Sequence, residues 1–340
     1  MKRLIIGGAG FIGINLAEYL LTKGEDVLIF DNLSRKGTSL NFAWIKKTYP
    51  QVKFVKGDIR TDYKKLVALL GKVDVAYHLA GQVAVTNSVA DPRYDFENNA
   101  IGSFNVLEAA RLSDKPPILF YSSTNKVYGA MEDVKTVKKK TRYEFKKFPN
   151  GISEKRLLDF HSPYGCSKGM ADQYFRDYAR IYGLKTVVFR QSCIYGKRQF
   201  GIEDQGWIAW FIIAILLNKP ITMYGNGKQV RDILFITDLI QAYELAEKNI
   251  KKTSGQIYNI GGGKKFTLSL LETFAYLEKL YSKKINYKTS DWRPGDQPIY
   301  VSDISKAKED FGWSPKISPE KGVKFLFDWV KQNKELFKNF

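Results

Sequence analysis

The stretch Gly7-Gly8-Ala9-Gly10-Phe11-Ile12-Gly13 decides the fold because of what stands on either side of it. Arg3 to Ile6 ahead of it is a short apolar run, and Leu16, Ala17, Leu20 and Leu21 behind it recur with helical spacing. Strand, glycine turn and helix in that order predict backbone N–H groups that meet a pyrophosphate at a helix N-terminus. Gly7, Gly10 and Gly13 then stand where any Cβ would hold the ligand away. A second strand, Asp26 to Phe30, runs into Asp31, the acceptor for an adenosine ribose hydroxyl that favours NAD as cofactor. Arg35, just beyond, leaves NADP open.

Outward from this loop, apolar runs at Val52 to Val55, Val73 to Leu79, Pro117 to Ser122, Thr186 to Arg190 and Gln256 to Ile260 read as further strands. Helical patterns at Asn99 to Arg111, Ser167 to Tyr182 and Asp238 to Asn249 alternate with them. The alternation predicts an α/β fold, a doubly wound parallel sheet of the Rossmann type. Beyond Gly261 the chain is polar and helical, with turns at Trp292 to Gln297 and Trp313 to Pro315. The expected division is a dinucleotide-binding domain over 1–190, to which 230–260 returns. A smaller C-terminal substrate lobe is expected from 191–229 and 261–340.

Composition sets the bounds. A chain of 340 residues with 44% apolar content can bury a large core. The longest apolar run, Trp207 to Leu217, is too short to span a bilayer, and no signal peptide is visible, so a cytosolic (cytoplasmic) protein is expected. Cys166 and Cys193 read as reduced, small core residues, and His78 with His161 cannot build a zinc site, so no metal is expected. The net charge of +19 is densest at Lys135 to Lys147. No recognised nucleic-acid module accompanies it, and the segment reads as a solvated surface loop, with steering of an anionic substrate or weak polyanion binding as the functional alternatives.

The chemistry is carried by Tyr164-Gly165-Cys166-Ser167-Lys168, since residues four apart on a helix share one face. An ammonium beside a phenol favours the phenolate, which can take a proton from an alcohol at neutral pH. Further landmarks follow in order: Gly57-Asp58-Ile59, His78-Leu79-Ala80-Gly81, Asn99 before a helix, Ser122-Ser123-Thr124, and Arg231-Asp232. With these in register, the chain resembles the extended short-chain dehydrogenase/reductase superfamily over nearly its whole length. The resemblance implies a catalytic set of Thr124, Tyr164 and Lys168. It also implies cofactor contacts at Gly7, Gly10, Phe11, Ile12, Gly13, Asp31, Asn32, Ser34, Arg35, Asp58, Ile59, Leu79, Ala80, Gly81, Asn99 and Ser122, besides Tyr164 and Lys168.

Within the superfamily, nucleotide-sugar 4,6-dehydratases look similar around Thr124 but carry Asp-Glu after it as acid and base. Here stand Asn125 and Lys126, which cannot take those parts, so dehydration is disfavoured. The runs Pro149-Asn150-Gly151, Asp159 to Gly165, Asp204-Gln205-Gly206-Trp207 and Gly225 to Asp232 resemble the CDP-paratose 2-epimerases. That resemblance implies a CDP-linked deoxysugar substrate, inverted at C2 through transient oxidation, and a homo-oligomer. Candidate substrate-binding residues are Gln82, Asn125, His161 and Gln205 around the sugar, with Arg231 and Arg293 for the pyrophosphate. Arg190-Gln191-Ser192-Cys193-Ile194-Tyr195-Gly196 places Cys193 where many superfamily members have a substrate-contacting Asn. The rivals are a UDP-sugar 4-epimerase on the same fold and a non-catalytic dinucleotide- or polyanion-binding protein.

Overall fold

The computed structural model describes residues 1–293 and 295–338. Its first part alternates as β1 (Lys2–Ile6), α1 (Phe11–Thr22), β2 (Asp26–Asp31), α2 (Thr38–Thr48), β3 (Lys53–Lys56), α3 (Tyr63–Leu70) and β4 (Val75–His78). Two short helices, α4 (Val85–Ala90) and α5 (Pro92–Phe96), lead through a π-turn at Glu97–Ile101 into α6 (Gly102–Arg111) and β5 (Ile118–Thr124). A hairpin of β6 (Thr136–Lys138) and β7 (Tyr143–Phe145) precedes α7 (Pro163–Tyr182) and β8 (Thr186–Gln191). The later elements are β9 (Cys193–Tyr195), α8 (Trp207–Leu216), β10 (Thr222–Tyr224), β11 (Val230–Phe235), α9 (Ile236–Lys248), α10 (Ile250–Thr253) and β12 (Gln256–Ile260). The chain continues through β13 (Thr267–Ser269), α11 (Leu270–Tyr281), β14 (Lys288–Ser290), β15 (Ile299–Tyr300), α12 (Ser305–Phe311) and α13 (Pro319–Gln332).

Seven strands form one sheet in the order β12-β8-β5-β4-β1-β2-β3, every pairing parallel. Side chains alternate across a strand, so a sheet covered on both faces needs apolar residues at consecutive positions. The sequence supplies them: Ile5, Ile29, Tyr77, Phe120 and Phe189 enter one core, while Leu4, Phe30, Ala76, Tyr121 and Val188 enter the other. Strand order reverses between β1 and β4, which opens a crevice at the strand carboxyl ends where ligands bind in such sheets. Two glycines let the backbone close there. Gly7 has φ +82°, and a Cβ on it would stand 2.6 Å from the Ala80 nitrogen; one on Gly13 would stand 2.4 Å from the Gly7 carbonyl.

Two expectations need correction. Residues 230–235 do not return to the large sheet. As β11 they pair with β9, β13 and β15 in a small second sheet, and the return begins with α9, which leads to β12. The basic stretch over 135–147 is a hairpin rather than a loop: Tyr143 N–H donates to the Lys228 carbonyl (2.9 Å), which fastens it to the turn before β11. Trp207–Leu216, too short for a span, is a helix buried in the same core cluster as Ile5 and Phe120. No helix among the described residues is long and apolar enough to cross a membrane.

Candidate active site

Two adjoining cavities lie over the sheet's carboxyl edge. The first, of about 340 Å³, is lined by Gly7, Gly10, Phe11, Ile12, Gly13, Asp31, Asn32, Ser34, Arg35, Asp58, Ile59, Leu79, Ala80 and Gly81. At its floor α1 begins after Gly10, which offers no side-chain cap, so the first N–H groups of the helix remain for an anion. The Asp31 carboxylate closes the end of β2, accepting from the N–H groups of Ala9 (3.0 Å) and Leu33 (2.8 Å). Burial pushes that carboxyl up, and the backbone donors oppose the shift. Asp58 accepts from Asn32 Nδ2 (3.0 Å) and pairs with Arg60 (2.8 Å), which holds it down at about 2. A glycine cradle that a Cβ would fill, an open helix N-terminus and a carboxylate at the second strand fit a dinucleotide.

The corner expected to be catalytic lies on the second cavity, which shares Leu79 and Gly81 with the first. Thr124 ends β5, and its Oγ accepts from the Lys126 N–H (3.2 Å), which fixes the hydroxyl at the start of a short 3₁₀ turn. Helix α7 is started by Pro163 and by Ser162, whose Oγ accepts from the Gly165 N–H (3.0 Å). This brings Tyr164 and Lys168 onto one face toward Thr124, and all three line the second cavity, of about 380 Å³. The Lys168 ammonium lies 4.4 Å above the Tyr121 ring.

Electrostatically the corner differs from the sequence expectation. Burial pushes the Tyr164 phenol up to about 12; the Thr124 hydroxyl opposes this, Asp95 adds to it, and Arg35 opposes it. Burial likewise pushes Lys168 down to about 7, against the pull of Asp95 and Asp172. Lys168 takes no part in the Tyr164 shift, in contrast to the lowering expected from the spacing, and desolvation penalises the charged forms of both groups.

The remaining candidates divide. Asn125, Gln205, Arg231 and Arg293 line the second cavity. Gln205 also lines the first, and its side-chain oxygen accepts from the Arg35 guanidinium, so one contact joins a cofactor candidate to a substrate candidate. Both arginines already hold a carboxylate: Arg231 faces Asp296 (3.4 Å) and Arg293 faces Asp204 (3.3 Å), with its guanidinium 3.8 Å over the Tyr224 ring. Gln82 lines the cofactor cavity, not the sugar side, because its amide is tied to Asp95 and the Ala84 carbonyl. His161 is exposed and lines neither cavity, since the turn it precedes is capped by Ser162. Asn99 is fully buried behind the cofactor cavity, and Ser122 faces the substrate side. Cys193 lines the substrate cavity, whereas Cys166 is exposed rather than in the core. Among the described residues no three His, Cys, Asp or Glu side chains gather as a metal site.

Sequence reasoning gave no role to Lys126. It lines the substrate cavity and donates to the Gly295 carbonyl (3.0 Å), and burial with the like charge of Arg231 pushes it down to about 8. Trp210, Tyr224 and Gln229 also line this cavity, from α8, from β10 and from the position just before β11. Their signal was weak because they come from short elements that only the tertiary fold brings together.

Comparisons with known proteins agree with this geometry. The family described as GDP-mannose 4,6 dehydratase matches residues 4–326. The CDP-paratose 2-epimerase of Salmonella typhi is 48% identical over 337 residues, covering 97% of this chain and 99% of that protein. A putative UDP-glucose 4-epimerase of Methanocaldococcus jannaschii is 33% identical, covering 97% of this chain and 98% of that one. The crystal structure of the UDP-glucuronic acid 4-epimerase of Bacillus cereus, in complex with UDP-glucuronic acid and NAD, superposes with a TM-score of 0.81. It shares 28% identity and covers 98% of this chain and all of that one (100%). With the glycine cradle, the Thr124–Tyr164–Lys168 corner and these matches together, the chain belongs to the GDP-mannose 4,6 dehydratase family, within the extended short-chain dehydrogenase/reductase superfamily.

Proposed function

We propose that this protein is an NAD-dependent nucleotide-sugar epimerase that inverts C2 of a CDP-linked dideoxyhexose, converting CDP-paratose to CDP-tyvelose. One observation carries the reading: Thr124, Tyr164 and Lys168 converge on a cavity whose next residues are Asn125 and Lys126, a proton-handling set without the carboxyl pair that dehydration needs. The 48% identity to a CDP-paratose 2-epimerase supports the choice of sugar and base.

A sugar C2 bearing a hydroxyl has no acidic C–H, so inversion by direct deprotonation is too slow. NAD, which Gly7, Gly10, Gly13 and Asp31 would hold, would supply the reversible hydride acceptor that such an inversion needs. In this reading Tyr164 accepts the C2 hydroxyl proton and later returns it, while Thr124 donates a hydrogen bond to the same oxygen. Lys168, as an ammonium, favours the Tyr164 phenolate, and Gly7, Gly10, Gly13 and Asp31 hold the dinucleotide. Arg231 and Arg293 take the pyrophosphate in exchange for Asp296 and Asp204. The keto sugar must present its second face before it is reduced, and Val83 and Val85, which line this cavity, have side chains that offer it no hydrogen bond.

In this reading residues 1–190 with 236–260 bind the cofactor, and 191–235 with 261–340 hold the nucleotide sugar. The enzyme works in the cytoplasm as a homotetramer, in the making of surface dideoxysugars of the lipopolysaccharide O-antigen kind. An exposed apolar strip of Phe96, Ile101, Tyr174, Ile181 and Tyr182 on neighbouring helices supports assembly. The test is CDP-paratose deuterated at C2, followed by NMR without added cofactor. The label should remain at C2 in CDP-tyvelose, and a label at C4 should leave the rate unchanged. An isotope effect from C4, or loss of the C2 label to solvent, would refute C2 oxidation.

A further inference from the structure

Behind the catalytic corner lies a second polar cluster that the reaction as described does not use. Asp95, on α5, is 1% exposed. Its carboxylate accepts from Ser167 Oγ (2.5 Å), Gln82 Nε2 (2.9 Å) and Asn99 Nδ2 (3.0 Å). All three partners are neutral, and they come from three places: α7 beside Lys168, the loop lining the cofactor cavity, and the π-turn before α6. Ser167 also reaches the Tyr164 carbonyl (3.3 Å), and Asn99 Nδ2 lies 3.3 Å from Ser167 Oγ. A Cβ on Gly81 would meet Asn99 Oδ1 at 2.5 Å and Lys168 Nζ at 3.9 Å, so the cluster and the ammonium converge on one bare glycine.

We infer that Asp95 is a positioning residue for the catalytic pair, its buried carboxylate pinning the start of α7 to the cofactor loop and supplying negative charge toward the Lys168 ammonium. A buried carboxylate among neutral donors is destabilising by itself, and its field acts on whatever charge lies near. The groups that face Lys168 are Asp95 from α5, Asp172 from α7, Tyr121 from β5 and His78 from β4. Asp95, more than Asp172, holds Lys168 protonated against burial, and the same charge opposes the Tyr164 phenolate. The two effects work at different pH, which makes them separable.

The inference rests on the reading of Tyr164 and Lys168 as the proton-handling pair, and its test fails separately from that reading. Asp95→Asn keeps the size and removes the charge. Lys168, already pushed down to about 7, then loses its proton at still lower pH, so the alkaline limb of the kcat profile should move about one unit toward acid. At the plateau below that limb kcat should stay within about threefold and KM within about twofold, and Asp95→Glu, which retains the charge, should restore the limb. An unmoved limb, or a loss equal at every pH, overturns the inference while leaving Tyr164 and Lys168 in place. If Asp95→Asn does not fold, wild-type protein decides: with the aspartate carboxyl carbons labelled with ¹³C, Asp95 must be ionised between pH 6 and 8, and a protonated Asp95 there overturns the inference too.

Discussion

The corner carrying Thr124, Tyr164 and Lys168 and the wall carrying Arg231 and Arg293 face the same cavity, yet they are assembled in opposite ways. The corner is one strand end and one helix start, buried, with its ionisable groups held toward their neutral forms by that burial. The wall is stitched from β11 and the segment before β15, and its guanidinium groups already hold carboxylates. A buried corner makes each proton expensive to misplace, whereas a wall of paired charges lets a diphosphate exchange for Asp296 and Asp204 without exposing a bare cation. Chemistry should therefore fail at the corner and affinity at the wall.

The largest effect that could break this contrast is at Tyr164. Tyr164→Phe removes one oxygen from a buried ring, and kcat should fall by about 10³-fold or more, with NAD retained and the melting temperature little changed. Single-turnover rates and the absorbance of retained cofactor measure both; residual turnover near wild type would move the proton to another group. Smaller losses are expected at the wall. Arg231→Leu and Arg293→Leu each delete charge-assisted hydrogen bonds worth ~1.5–3 kcal/mol, so KM should rise about 10- to 100-fold while kcat changes little. A fall in kcat with KM unchanged would show that the arginines act on the transition state and that the contrast is wrong.

How far the sequence could be read follows the same line. The glycine loop, Asp31 and the Tyr164–Lys168 spacing are local patterns in which neighbours along the chain remain neighbours in space. The parallel strands announced themselves because both faces of the sheet are buried. Strand β11 did not, since its partners β9, β13 and β15 are only two or three residues long and lie up to about 70 positions away. Gln82 was legible as a polar residue near the site but not as a ligand of Asp95, because α5 meets that loop and α7 only in the folded chain. His161 failed for a simpler reason: its backbone neighbour Ser162 does the capping, which leaves the imidazole no task inside.

The smallest predicted effect sharpens the comparison by testing whether the cofactor side behaves like the corner or like the wall. Asp31 is not a free acceptor waiting for a ribose. One oxygen accepts from Ala9 in the glycine loop and the other from Leu33 just beyond β2, so the carboxylate braces the cradle as well as binding in it. Asp31→Ala would confound the two roles by leaving two buried N–H groups unpaired, at about 1–3 kcal/mol each. Asp31→Asn confounds them less, since only one of the two N–H groups then faces a donor. It keeps the shape and one carbonyl oxygen, so the fold should melt within a few degrees of wild type. The second oxygen becomes a donor, and NAD should bind about three- to tenfold more weakly, the range expected for one neutral hydrogen bond of ~1 kcal/mol. Calorimetric titration of protein stripped of cofactor measures that change directly. A loss as large as the one at Tyr164 would mean that the cleft is as intolerant as the corner, and no loss at all would mean that Asp31 serves the loop and not the ribose.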